Sequence, residues 1–191
     1  MEKMFFLEPQ QRVTVGAYGK VLVLLNERKE KTVGDSMGDE TREAVPTEQY
    51  VYDGCWLDTG GMASEQALLD AAQREVLSAI STYDASDSVN GLVVNGQRGW
   101  LDKATRVGLM NGVSAAKACG MERMSLWIDG REYVMDVARL EELLVKVEVY
   151  AIGCYNATAR HREAVYGLRK VEDVLAYDYK AGYPDKVSIE L

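Results

Sequence analysis

The chain predicts an α+β fold: a small N-terminal antiparallel β-meander, then two ββα repeats with a long helix and a short C-terminal strand. Three observations predict it. At an offset of 34 residues, Asn95 to Met110 falls on Asp129 to Leu144, matching in kind and partly in letter. The first 60 or so residues hold alternating or continuous apolar runs of strand length. Beyond Ser64, apolar side chains recur at three- and four-residue steps, the period of a helix with one buried face.

In the meander, Val13 and Val15 alternate with polar neighbours, Gly16 to Gly19 supplies a turn, and Lys20 to Leu25 reads as a buried strand. From Asn26 to Glu48 apolar residues nearly vanish, so this stretch is expected to be a mobile loop or a solvated hairpin arm. Tyr50 to Leu57 returns to strand composition. Thr59-Gly60-Gly61 marks the internal boundary, and Ser64 is placed to cap a helix carrying Leu69, Ala72, Val76, Ile80 and Tyr83 on one stripe. Asp84, Ser86, Asp87 and Asn90 then break it, because their side chains bond to local backbone.

Each repeat reads as hairpin, cap, helix. Asn95-Gly96 and Asp129-Gly130 are dipeptides that reach positive φ and favour tight two-residue turns. Asp102 and Asp136 stand where an N-cap would accept a free backbone N–H. In the first repeat helix Gly108, Gly112 and Ala116 fall four apart, a small-residue groove expected to be an interface that something approaches closely. In the second, Glu142 and Lys146 suggest a wet face. The stripe Leu140, Leu143, Leu144, Val147, Ala151, Cys154, Tyr155 and Thr158 continues to about Leu168, implying a helix of ~48 Å that bends near Gly153, projects, or supplies an oligomer interface. Residues 171–177 suggest a short helix, and Val187 to Leu191 a final strand. The expected organisation is 1–60 as the meander, with its loop at 26–48, and 64–191 as the α+β domain, with repeats at 91–119 and 125–152.

Composition narrows the function classes. A net charge of −8 disfavours a general phosphate-binding surface, so no nucleic-acid partner is expected. Cys55, Cys119 and Cys154 are odd in number and form no CxxC pair, which suggests neither a disulfide framework nor a zinc site. No apolar run approaches the length of a membrane span, so no membrane partner is expected.

The chemistry-bearing residues form no catalytic pattern. Gly19-Lys20 lacks the flanking residues of a phosphate loop, and Asp35, Asp39, Glu40 and Glu43 lack the alternate spacing of a calcium loop. His161, the single histidine, lies seven residues from Cys154 on one helix, ~10 Å along its axis, which is poor for a nucleophile–base dyad. No catalytic residue, metal or cofactor is therefore assigned. The candidate binding residues are the aromatic set Trp100, Trp127, Tyr177, Tyr179 and Tyr183. They read either as a surface for a sugar, peptide or subunit, or, more simply, as tryptophans filling the core with tyrosine hydroxyls at its rim.

One resemblance adds to this. Tyr83-Asp84-Ala85-Ser86, Val89-Asn90, Asn95-Gly96, Trp100-Leu101-Asp102, Thr105-Arg106, Leu126-Trp127, Tyr150-Ala151, Cys154-Tyr155-Asn156, Thr158, His161 and the run Tyr177 to Pro184 follow in an order that resembles the DUF4376 family. This is a domain of tailed phages and bacterial prophages. The resemblance covers about Leu69 to Leu191, and the Tyr52-to-Leu57 segment is similar to leader segments in proteins of gut Bacteroidales. It implies phage or prophage origin, often near tail-fibre genes, and carries over no catalytic residue. The expected function is a non-enzymatic structural or assembly component of a tail or tail fibre. Its partners would be proteins, tail or fibre proteins among them, with homo-oligomerisation an option. It would be made in the bacterial cytoplasm and be a candidate for the virion. The alternative is a module that binds a small ligand or a host protein, such as an inhibitor of host defence.

Overall fold

A computed structural model describes residues 1–33, 46–128 and 130–190; residues 34–45, Asp129 and Leu191 fall outside it, and with them Asp35, Asp39, Glu40 and Glu43. The architecture is α+β. Its elements group into two units, Met1–Leu77 with Val165–Tyr177, and Ser78–Ala164 with the segment from Asp178 onward.

The first unit is built on a four-stranded antiparallel sheet of β1 (Glu2–Phe6), β2 (Val13–Val15), β3 (Lys20–Val33) and β4 (Pro46–Asp58). Spatial order is β1-β4-β3-β2. Strands β2 to β4 form the expected meander, but β1 returns beside β4, so the whole has Greek-key order. The run Val21 to Leu25 is buried at every residue, because both faces of β3 are covered. Leu22 and Leu24 pack with Tyr52, Met4 and Phe6 on one of them.

Of the two readings of residues 26–48, the solvated hairpin arm holds where the chain is described, on both sides of 34–45. Asn26 does interrupt the apolar run: it takes φ 54° at a bulge between Leu25 and Arg28, and its amide donates to Asp53 at 2.9 Å. Beyond the bulge pairing resumes, Arg28 opposite Val51 through Lys31 opposite Glu48. A polar strand needs only backbone partners, so the arm persists without apolar content.

The expected break at residues 60–64 is also not where the units divide. Helix α1 (Glu65–Ala85) begins there, with the Ala67 N–H donating to Ser64 Oγ at 3.3 Å. Its first half belongs with the sheet. Arg12 pairs with Glu65 at 2.7 Å, and Arg74 donates to the Asp58 carbonyl at 2.9 Å. Gln73 donates to the carbonyls of Val165 and Leu168, and Arg12 also binds Glu172 on the short helix α4 (Val171–Leu175).

The second unit holds the two repeats. Hairpin β5 (Leu92–Val94) and β6 (Gln97–Gly99) turns through Asn95 and Gly96 at φ 48° and 75°, a two-residue turn with both centres left-handed. Helix α2 (Lys103–Ala118) follows its cap, where Asp102 accepts the Thr105 N–H at 2.9 Å and the Thr105 hydroxyl at 2.8 Å. Those bonds hold the carboxyl below its ordinary range. Hairpin β7 (Arg123–Ile128) and β8 (Arg131–Asp136) leads into α3 (Val137–Gly167), continuous through Gly153. The C-terminal strand β9 (Ser188–Ile189) is shorter than expected and runs parallel to β5.

The copies meet at equivalent positions. Arg131 donates to Gln97, and these residues stand 34 apart, the repeat offset itself. Around this contact lies one core: Leu92, Val94, Leu101 and Val113 from the first copy, Leu126, Ile128, Leu140, Leu144 and Val147 from the second, and Ile189 from β9.

Candidate functional site

The residues richest in chemistry converge where the C-terminal end of α1 and the middle of α3 meet the segment after Asp178. On α3, Tyr150, Cys154, Thr158 and His161 follow at steps of four, four and three, so they share one face. Thr158 donates its single hydroxyl proton to Asp84 at 2.7 Å; the 2.9 Å contact with Tyr183 therefore has the phenol donating to Thr158 Oγ1. Tyr150 donates to the Val89 carbonyl at 2.8 Å, and Asn90 to that of Asp84. The His161 ring stacks on Tyr183 with centroids 5.5 Å apart, its Nε2 lying 2.8 Å from the Ala181 carbonyl oxygen. Tyr83 meets Tyr179 and Tyr183 edge-on. Gly153 belongs to the same junction: a Cβ there would stand 3.2 Å from Pro184 Cγ, so glycine lets the segment close on the helix.

The electrostatics oppose nucleophilic use of this cluster. Burial pushes the Cys154 thiol up, and the neighbouring Asp84 charge pushes it the same way. Burial likewise raises the phenols of Tyr150 and Tyr183. A thiol at 5% exposure that resists ionisation is a packing residue. What the arrangement can do is close hydrogen bonds between three separated stretches of chain. Thr158→Val, which keeps the shape and removes the hydroxyl, is expected to cost about 1.5 kcal/mol by stranding Asp84 and Tyr183, with Thr158→Ser losing less. Urea unfolding of the three proteins checks the order.

The five predicted aromatic residues do not form one surface. Tyr179 and Tyr183 join this cluster around Tyr83, whereas Tyr177 belongs to the other unit. Trp100 packs at the edge of the repeat core beneath the Arg106 guanidinium, 5.4 Å from its ring centre. Trp127 neither fills the core nor joins the tyrosines. It is 60% exposed opposite Glu132, because alternation along β7 gives the inward positions to Leu126 and Ile128.

The predicted small-residue groove is not one surface either. Ala116 is in the core, Gly112 lies against the Met124 methyl at 3.3 Å from its would-be Cβ, and Gly108 has nothing within 4 Å. Four-residue steps drift around a helix, so only part of the row faces β7.

Two features escaped the sequence reading. Arg106 is 6% exposed and donates to the Leu101 carbonyl and to Glu148, each at 2.7 Å. The other is a second stripe on α3. Val145, Val149, Ile152 and Tyr155 are 46%, 66%, 52% and 72% exposed, a stripe that starts beside the face where Glu142 and Lys146 suggest a wet surface and turns away from it. Tyr155 had been grouped with the inward stripe, but one step of the helix turns it about 100° away from Cys154. The signal was present as apolar residues at i, i+4 and i+7. Beside this stripe, Val145, Lys146, Val149 and Tyr150 form a groove of ≈ 400 Å³ with Pro184, Asp185 and Val187.

Among the described residues, no group of three or more His, Cys, Asp or Glu side chains is placed to hold a metal ion, and no helix is long and apolar enough to cross a membrane. Comparison with protein-family models, with characterised proteins and with solved structures gives no match.

Proposed function

We propose that the chain is a non-enzymatic protein of a tailed phage or prophage that acts through protein contacts as a tail or tail-fibre structural or assembly component. The observation that carries the contact role is the exposed apolar stripe Val145, Val149, Ile152 and Tyr155 on α3. Apolar anchors at this spacing on an exposed helix are the pattern by which a helix docks on a protein. The phage assignment rests on the resemblance to the DUF4376 family. Many residues that carry it bond to one another: Thr158 with Asp84 and Tyr183, Asn90 with the Asp84 carbonyl, His161 with Ala181. Such a motif supports a fold, and its letters then call for no catalytic explanation.

The second reading, a module binding a small ligand or a host protein, draws on the groove beside Val145 and Val149. The two separate in a producing prophage. Deletion of the gene is expected to leave particles with defective tails or fibres, restored by the gene in trans. Normal, infectious particles from the deletion strain would overturn the tail reading and leave the binding module.

A further inference from the structure

The exposed stripe of α3 has a direction. At its N-terminal end stand Glu141 and Glu142; at its C-terminal end stand Arg160 and Arg162. Between them Val145, Val149, Ile152 and Ala159 follow at steps of four, three and seven, all exposed, with the exposed Asn156 at the remaining position; this is the spacing of a helix-pair seam with one polar site. On a helical projection at 100° per residue, Glu142 and Arg160 fall on the same flank of that seam. When two helices pair antiparallel, residues on the same flank are the ones that meet.

We infer that α3 pairs antiparallel with α3 of a second copy of this chain, with Val149 and Ile152 crossing at the centre and Glu142 of each copy beside Arg160 of the other. The inference rests on reading the stripe as a contact surface. It names a partner because the stripe is self-complementary: acid at one end, base at the other, apolar in the middle. A parallel pair would instead put both acidic ends at one level and both basic ends at the other, with Glu142 and Arg160 of different copies never within reach. Arg139, a cation at the acidic end, already faces Glu142 at 3.7 Å and the Glu190 carbonyl at 3.4 Å. Glu163, an acid at the basic end, meets the end where Lys117 already binds Glu141. The seam spans ~22 Å of one helix from Val145 to Arg160, a narrower contact than the ~20–30 residues a side of a standard interface, so the dimer dissociates on dilution.

The test is mass in solution for the full chain over about a hundredfold range of concentration. The expected average rises from 21.2 kDa toward twice that value. Ile152→Glu is expected to weaken pairing at least tenfold with an unchanged circular-dichroism spectrum. Glu142→Arg is expected to weaken it as well, and Glu142→Arg with Arg160→Glu to restore it to within about threefold, a result that a folding defect would not produce. A mass fixed at 21.2 kDa, a higher oligomer, a dimer indifferent to Ile152→Glu, or a charge swap without rescue each overturns the inference. Failure here leaves the contact role standing if Ile152→Glu still blocks complementation of the deletion strain. A dimer from a gene whose loss leaves particles normal would sink the tail reading alone.

Discussion

Replacing Arg106 by alanine is expected to destabilise the repeat-bearing unit by about 3 kcal/mol, because the guanidinium is buried and bonded on two sides while one of its partners is not free to leave. Its Nη1 donates to the Leu101 carbonyl and its Nε to Glu148, both at 2.7 Å, and its plane lies against Trp100. Removing it strands that carbonyl inside the fold. Glu148 is 41% exposed and can return to water, so the carbonyl and the lost packing carry most of the cost. Arg106→Lys keeps the charge but cannot make the two bonds and the stacked contact together, and about 2 kcal/mol is expected. Arg106→Met fills the space without a donor and should fall between alanine and lysine. Urea unfolding of the three variants checks the series. If Arg106→Lys were as stable as the parent, charge alone would explain the burial of Arg106.

Local chemistry was legible in the sequence. Asn95-Gly96 makes the tight hairpin, Asp102 caps α2, Ser64 caps α1, and Val21 to Leu25 is buried throughout. Each depends on a few adjacent residues. Long-range bookkeeping was not legible. Strand β1 had no signal for pairing with β4 rather than β2, since antiparallel order is chosen by packing between distant stretches. The arm beyond Asn26 was legible only as one of two alternatives, because its pairing is carried by backbone groups that hydropathy does not count. Arg106 looked like an ordinary helix cation until the hairpin placed the Leu101 carbonyl beside it. Of the candidate residues, Tyr179 and Tyr183 both lie against Tyr83, but Thr158, which bonds Tyr183, and Asp84, which bonds Thr158, carried no sequence signal beyond the position of Thr158 on the inward face of α3.

Leu140→Ala is expected to cost a similar amount, about 3 kcal/mol, through a cavity rather than a stranded polar group. Leu140 is fully buried in the first turn of α3, within the core that both repeats and β9 share. Collapse around the missing carbons is limited there, because that core is built from hairpin and helix positions already set by the Asn95-Gly96 turn and the Asp102 cap. The unit can be read separately. Of the three tryptophans, Trp100 and Trp127 lie in it and Trp56 lies in the sheet unit, so a Trp56→Phe background confines fluorescence to the repeats. In that background Leu140→Ala should move the urea midpoint down without changing the slope of the transition. Leu140→Met, which nearly conserves volume, should cost less than half as much. A changed slope would mean that loss of Leu140 loosens the native state itself. Near-equal stability of the alanine and methionine variants would mean that the shared core is not close-packed at this position.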